Sequence, residues 1–145
     1  DVVGLIVGGD DPKRMAYRRE LDSAVQQAGL QDAIIFTGHR SDMRDIYAAS
    51  SVVLSLSSKP ESFGRTVLEA LSMGVPVVGY AHGGVGEILR ALYPDGAVAL
   101  NDEAGVARAI VALRAEAPRI APNTQFLLAN MQQQTLAVYQ ELLSS

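Results

Sequence analysis

Along the chain, short runs of β-branched and apolar residues alternate with longer stretches whose apolar positions recur every three or four residues. The short runs "VVGLIVG", "AIIFTG", "VVLSLS", "PVVGYA" and the weaker "AVAL" read as strands. Between the first two, "KRMAYRRELDSAVQQAG" sets Met15, Leu21, Val25 and Ala28 at helical spacing and closes on Gly29, a glycine stop. "SDMRDIYAAS" predicts a short helix that Ser41 or Asp42 caps. "GRTVLEALSMG" predicts another, ending at Gly74 with Pro76 barring its continuation. "GGVGEILRAL" and "DEAGVARAIVALRAEA" predict two more, and a terminal helix spans about 124–143. Its stripe of Leu127, Met131, Val138 and Leu142 is expected to lie against the rest of the fold or a neighbouring domain. This order specifies an α/β protein with a Rossmann-like, doubly wound parallel sheet covered by helices on both faces. No repeat or linker interrupts it, so residues 1–145 read as one domain, with "APRIAPNTQ" as its most flexible loop.

Composition narrows the chemistry. The 145 residues are 48% hydrophobic and 19% charged, ordinary for a globular domain with its own core. The formal charge of -4 comes from interspersed carboxylates, and the basic residues form no stripe, so a nucleic-acid partner is not expected. Without cysteine there is no disulfide, thiolate metal site or catalytic thiol. The longest apolar runs are too short to span a bilayer, and no signal peptide opens the sequence. The expected location is cytoplasmic, or peripheral at the inner membrane for a longer protein.

The stretch "PESFGRTVLEALSMGVPVV" carries the candidate chemistry. It follows a buried strand and enters a helix, and in an open parallel sheet ligands bind at such carboxyl ends. A helix starting near Phe63 or Gly64 leaves the amides of Phe63, Gly64, Arg65 and Thr66 without intrahelical acceptors, a place for an anion. Gly64 has no Cβ, which lets a phosphate or sugar approach the backbone. Glu61 and Glu69 flank this turn, and each carboxylate would repel a diphosphate. A carboxylate only accepts hydrogen bonds, so its partners are hydroxyls. Glu69 lies five residues past Gly64, roughly 7–8 Å along the axis. The pair can bracket a diphosphate, each holding one sugar, which points to a nucleotide diphosphate sugar. Read singly, Glu69 is a carboxylate near a helix start and Glu61 a solvated one.

At these residues the chain resembles the donor-binding C-terminal domain of retaining glycosyltransferases of the GT-B fold, the family four group. "ESFGRTVLE" fits that group's E-x-F-G-x-x-x-x-E pattern, and "ALSMGVPVVGYAHGGVGEIL" is similar to the run that follows it. "FTGHRSDMRDIYAASSVVLSLSS" looks like the stretch before it. The resemblance extends from "LIVGG" to about Leu89. It implies that Glu69 binds the ribose hydroxyls and Glu61 the transferred sugar; a double displacement would need a carboxylate nucleophile, for which Glu61 is the candidate by residue type, with binding as its expected role. It also implies that the amides of Phe63 and Gly64 meet the sugar and those near Arg65 and Thr66 the phosphates, with Ser62 in the same loop. Gly38, His39 and Arg40 would receive the base, and Gly83 and Gly84 would let the chain turn tightly beside the ligand. Gly86 stands where the family often has proline, which weakens the carry-over to Glu87; the latter also reads as a cap of its own helix. His82 reads as a loop residue at a strand end.

The resemblance implies transfer of a hexose from a nucleotide diphosphate sugar to an acceptor hydroxyl with retention, in polysaccharide or lipopolysaccharide biosynthesis, onto a lipid-linked or saccharide acceptor. No metal is expected, because no Asp-x-Asp pair is present and "GGDD" reads as a turn. The chain opens at what resembles the family's second strand, without the first strand-helix unit and its Arg and Lys, and without the acceptor-binding N-terminal domain. It is therefore expected to be a fragment of an enzyme, weak in donor binding and inactive in transfer by itself. A nucleotide-sugar epimerase-like enzyme and a non-catalytic nucleotide or sugar-binding module stay open as alternatives.

Overall fold

The computed structural model describes residues 2–9 and 15–144, in two compact units, Asp1–Arg44 and Asp45–Ser145. Asp10 and Asp11 of the "GGDD" turn fall outside the described residues, as do the first two residues of the first predicted helix. In the first unit, β1 (Gly4–Val7) and β2 (Ile34–Gly38) pair in parallel, Leu5 beside Ile35, joined through α1 (Met15–Gln27). The Arg18 guanidinium lies 4.1 Å over the Phe36 ring and pairs with Asp22 one turn along its own helix.

α2 (Met43–Ala49) crosses into the second unit, where β3 (Val53–Ser55), β4 (Val77–Tyr80) and β5 (Ala97–Val98) form a parallel sheet in that order. α3 (Arg65–Ser72) joins the first two of these strands, and α4 (Gly83–Leu92) followed by a 3-10 turn joins the last two. α5 (Glu103–Ala115) and α6 (Leu128–Ser144) complete the unit. The strands and helices read from the sequence all appear, in the α/β class expected.

The centre of the second unit is β4, whose four residues are all buried. Its two faces are covered differently. Val78 and Tyr80 pack with Val98 and with Val106 of α5. A Cβ on Gly79 would meet Val85 and Leu89 of α4, so the opposite face carries α4. Helices thus lie on both sides of this sheet, and the largest fully buried side chains, Val67, Leu71, Val77, Val78, Ile88 and Leu89, all come from α3, β4 and α4.

α3 ends as predicted. Gly74 takes φ +78°, and the amides of Gly74 and Val75 turn back to the carbonyls of Leu71 and Ala70, a glycine-closed helix end. Asp42 directly precedes α2, and its carboxylate is taken up by Arg40. The last helix begins later than the predicted 124 because the Asn123 side chain intervenes. Its Oδ1 accepts the amides of Gln125 and Phe126, and Asn130 donates to the carbonyls of Thr124 and Gln125, so residues 124–127 stay outside the helix. The stripe on α6 is not buried against the rest of the chain: Met131 is 58% exposed and Leu142 69%.

Candidate functional site

Two helix starts and one loop meet at the carboxyl ends of β3 and β4. The loop of residues 56–64 leaves β3 through a turn closed on Ser57, whose hydroxyl donates to the Lys59 carbonyl and accepts the Lys59 amide. The His82 ring then pins the same turn: Nε2 lies 2.9 Å from the Ser57 carbonyl oxygen. A carbonyl only accepts, so Nε2 carries the proton. His82 is therefore a tie between the ends of β3 and β4, in keeping with a loop role.

Further along, Gly84 donates its amide to the Glu61 carbonyl at 2.8 Å. The approach is so close that a Cβ on Gly84 would sit 2.4 Å from the Phe63 carbonyl oxygen, and one on Gly83 would sit 2.7 Å from that of Glu61. Gly83 and Gly84 thus let the start of α4 press against the 61–63 backbone.

The helix after this loop begins at Arg65, one or two residues later than the sequence suggested. Gly64 holds φ 85°, ψ 51°, a left-handed conformation that cannot be part of the helix but lets its carbonyl accept the first helical amide, from Leu68. The glycine's missing Cβ serves a different neighbour from the one expected. A Cβ there would meet the Val85 backbone at 3.2 Å, so the space belongs to α4. The amides of Arg65, Thr66 and Val67 head α3 without intrahelical acceptors. Val67, Ala70 and Leu71 are buried, which leaves Arg65, Thr66 and Glu69 on the outer side.

Glu69 is held at both oxygens. Oε1 accepts from Arg65 Nη2 at 3.2 Å, and Oε2 accepts from the Tyr47 hydroxyl at 3.1 Å. Glu61 differs: its backbone is engaged by Gly84 while the residue is exposed. Ser62 is exposed beside it, and the half-exposed Phe63 ring meets Phe126 edge-on at 6.3 Å. Glu87 lies on α4 beyond its first turn, with His82 at the cap position, so it does not cap its helix as one reading had it.

Glu61, Ser62, Phe63, Gly64, Arg65, Thr66, Glu69, Gly83 and Gly84 all belong to the second unit and gather at the N-terminal ends of α3 and α4. Gly38, His39 and Arg40 belong to the first unit, at the end of β2. There Gly38 has φ +69°, and Arg40 makes a two-point pair with Asp42 that holds the Asp42 carboxyl below its ordinary value.

Sequence reasoning missed Tyr47 and Phe126. Tyr47 could have been found, since Met43, Ile46, Tyr47 and Ser50 fall on one helical side, and a tyrosine turned to a core needs a partner for its hydroxyl. Burial, and then the hydrogen bond and charge of Glu69, raise the Tyr47 phenol above its ordinary 10.0, against the opposing effects of Thr66 and Arg65. Burial and Asp95 do the same for Tyr93. A raised folded value means that the phenol's contribution to stability is complete below the unfolded value and is lost as pH climbs through the folded one. Tyr47→Phe should therefore show a shallower loss of stability above about pH 10, measured as urea midpoints across the alkaline range. An unchanged slope would show that Tyr47 ionises as an ordinary surface phenol.

Among the described residues no three His, Asp or Glu side chains are grouped to hold a metal, and no helix is long and apolar enough to cross a membrane.

Residues 1–116 match the family described as "Glycosyl transferases group 1". A lipopolysaccharide core biosynthesis mannosyltransferase of Rhizobium meliloti is 30% identical over 119 residues, covering 81% of this chain and 34% of that protein. The crystal structure of Anabaena HepE in complex with UDP and glucose superposes with a TM-score of 0.75 at 28% identity, over 79% of this chain and 31% of that one. A glycosyltransferase of Rickettsia africae shares the fold over 99% of this chain and 40% of its own, with a TM-score of 0.82 at 23% identity. The chain thus spans well under half the length of each.

Proposed function

The chain belongs to the glycosyl transferases group 1 family, and from that premise we propose that it is the donor-binding half of a retaining glycosyltransferase. Its ligand is a nucleotide diphosphate sugar, from which the whole protein transfers a hexose to an acceptor hydroxyl. The observation that carries this reading is the start of α3, where the amides of Arg65 and Thr66, without intrahelical acceptors, and a carboxylate held one turn on lie on the outer side of the helix. The amides offer an anion the positive end of a helix, and Glu69 offers the neighbouring sugar only acceptors. The likeness to a structure holding UDP and glucose supports the same ligand class.

In this proposal Glu69 takes the ribose hydroxyls. Arg65 and Thr66 amides take the diphosphate, and the Phe63 and Gly64 backbone with Ser62 meets the sugar. Glu61, whose side chain is exposed at the same loop, binds the transferred hexose and is the candidate catalytic carboxylate. The preorganised amides stabilise charge on the departing diphosphate, with no metal assigned. The assignment of the base to Gly38, His39 and Arg40 rests on the sequence resemblance alone. Acceptor binding, onto a lipid-linked or saccharide hydroxyl on the cytoplasmic side, is assigned to other parts of the protein, and these 145 residues alone bind donor without transferring it.

The test is a titration of the 145-residue chain with UDP, GDP, ADP and their sugar conjugates, by calorimetry or NMR, beside Glu69→Gln. Saturable binding by one nucleotide family is expected. Hydrogen bonds to a charged group are worth about 1.5–3 kcal/mol, so the substitution should weaken binding by roughly 10- to 100-fold. No saturation by any of these at millimolar concentration, in a chain shown to be folded, would overturn the reading.

A further inference from the structure

We propose that the Tyr47 hydroxyl is a positioning group that sets the Glu69 carboxylate to receive two adjacent hydroxyls at once; this rests on the donor-site reading above. Tyr47 sits on α2, 22 residues before Glu69, and is 4% exposed. The ring is thus anchored in the core while its hydroxyl reaches Glu69 Oε2 at 3.1 Å. The other holder, Arg65, has a side chain 82% exposed and leaves Glu69 Oε1 at 3.2 Å. An exposed ion pair of this kind fixes little, because solvent screens it and both side chains keep their freedom. Of the two, the buried phenol is the one able to restrain the carboxylate.

The arrangement has a consequence for what Glu69 can bind. A carboxylate offers about four lone-pair directions over its two oxygens. Tyr47 occupies one on Oε2 and Arg65 one on Oε1, so each oxygen keeps acceptor capacity on a group whose side chain remains 44% exposed. Two acceptors on one rigid plane suit two vicinal O–H donors and gain nothing from a sugar that lacks them. An unrestrained glutamate would have to give up rotamer freedom on binding, which lowers affinity by the cost of that ordering. Tyr47 carries that ordering in the free protein.

The experiment uses the full 145-residue chain, Tyr47→Phe and Glu69→Gln, each titrated with UDP, GDP and ADP and with the 2′,3′-dideoxy counterpart of each. Phenylalanine keeps the ring in its place and removes only the hydroxyl. The proposal expects Tyr47→Phe to weaken the bound ribonucleotide by about 3- to 10-fold, the scale of one hydrogen bond, and to leave the dideoxy nucleotide unaffected. Equal weakening of both would mean that Tyr47 only supports the fold of the site, and no weakening of either would mean that it does not position Glu69; both overturn the proposal. If Glu69→Gln has no effect on any nucleotide, it is the donor-site reading itself that fails. A second measurement needs no variant: the Tyr47 ring resonances of the unmodified chain should shift on titration with the ribonucleotide and stay in place with its dideoxy form. Equal shifts with both would again overturn the proposal.

Discussion

Gly84→Ala should unfold the second unit at ordinary temperature or leave it severely weakened, the largest loss expected of any single methyl added near the site. The new Cβ would lie 2.4 Å from the Phe63 carbonyl oxygen and 2.5 Å from its carbonyl carbon and Cα. These are backbone atoms, so no side chain can rotate away. Relief requires α4 to back off from the 61–63 loop, and that breaks the 2.8 Å bond from the Gly84 amide to the Glu61 carbonyl. Overpacking and a lost buried hydrogen bond together cost on the order of 3 kcal/mol or more. Gly8→Ala is the matched control, because a Cβ there meets nothing within 4 Å and the glycine needs no left-handed backbone. It should stay within about 0.5 kcal/mol of the parent, as surface substitutions usually do. Urea unfolding of the three chains decides the matter. A Gly84→Ala chain as stable as Gly8→Ala would show that the helix start and the loop are not pressed together in solution. Where enough Gly84→Ala stays folded to titrate, its nucleotide binding should also fall, since the displaced backbone carries Glu61 and Phe63.

The same contact shows why the fold was largely legible and the site only in part. Strands and helices announce themselves locally: "PVVGYA" carries no charged residue, and all of β4 is buried. The close of α3 at Gly74 could be read because it needs one glycine and a following proline. The Glu61 and Glu69 pair could be placed beside a helix start for the same reason. What the sequence did not disclose depends on contacts between residues far apart in the chain. Gly64 looked like a gap left for a ligand, yet the space beside it is filled by Val85, 21 residues on. Gly83 and Gly84 looked like a turn near the ligand, yet their small size admits the loop at 61–63. Tyr47 gave no sign of reaching Glu69, because the two, 22 residues apart on α2 and α3, are brought together only by the folded chain. The terminal helix was placed four residues early, since a periodic pattern cannot register that Asn123 draws the following amides to its own side chain.

Leu89→Ala should be the second large loss, and unlike the first it should spare the chemistry. Leu89 is 0% exposed on α4, and its Cδ1 would come within 3.2 Å of a Cβ at Gly79, so the side chain fills the hollow that the strand glycine leaves. A helix lying on a central strand cannot settle into the space left by truncation, because α4 is held at its start by the Gly84 bond to Glu61 and is backed by Ile88 and Val85, both buried. The cavity therefore persists, and leucine truncations of that kind cost about 2–5 kcal/mol, here toward the upper half. Urea midpoints should fall with the slope of the transition unchanged, as expected when stability changes without a change in the surface exposed on unfolding. Leu89 lies one and a half turns inside α4, away from the loop at 61–64, so the folded molecules should bind nucleotide as the parent does. A binding loss comparable to that of Glu69→Gln in molecules shown to be folded would mean that the start of α4 is set by core packing rather than by its glycines. In that case the fit between α4 and the 61–63 loop would be an effect of the core, and the site would share the core's sensitivity to every substitution beneath β4.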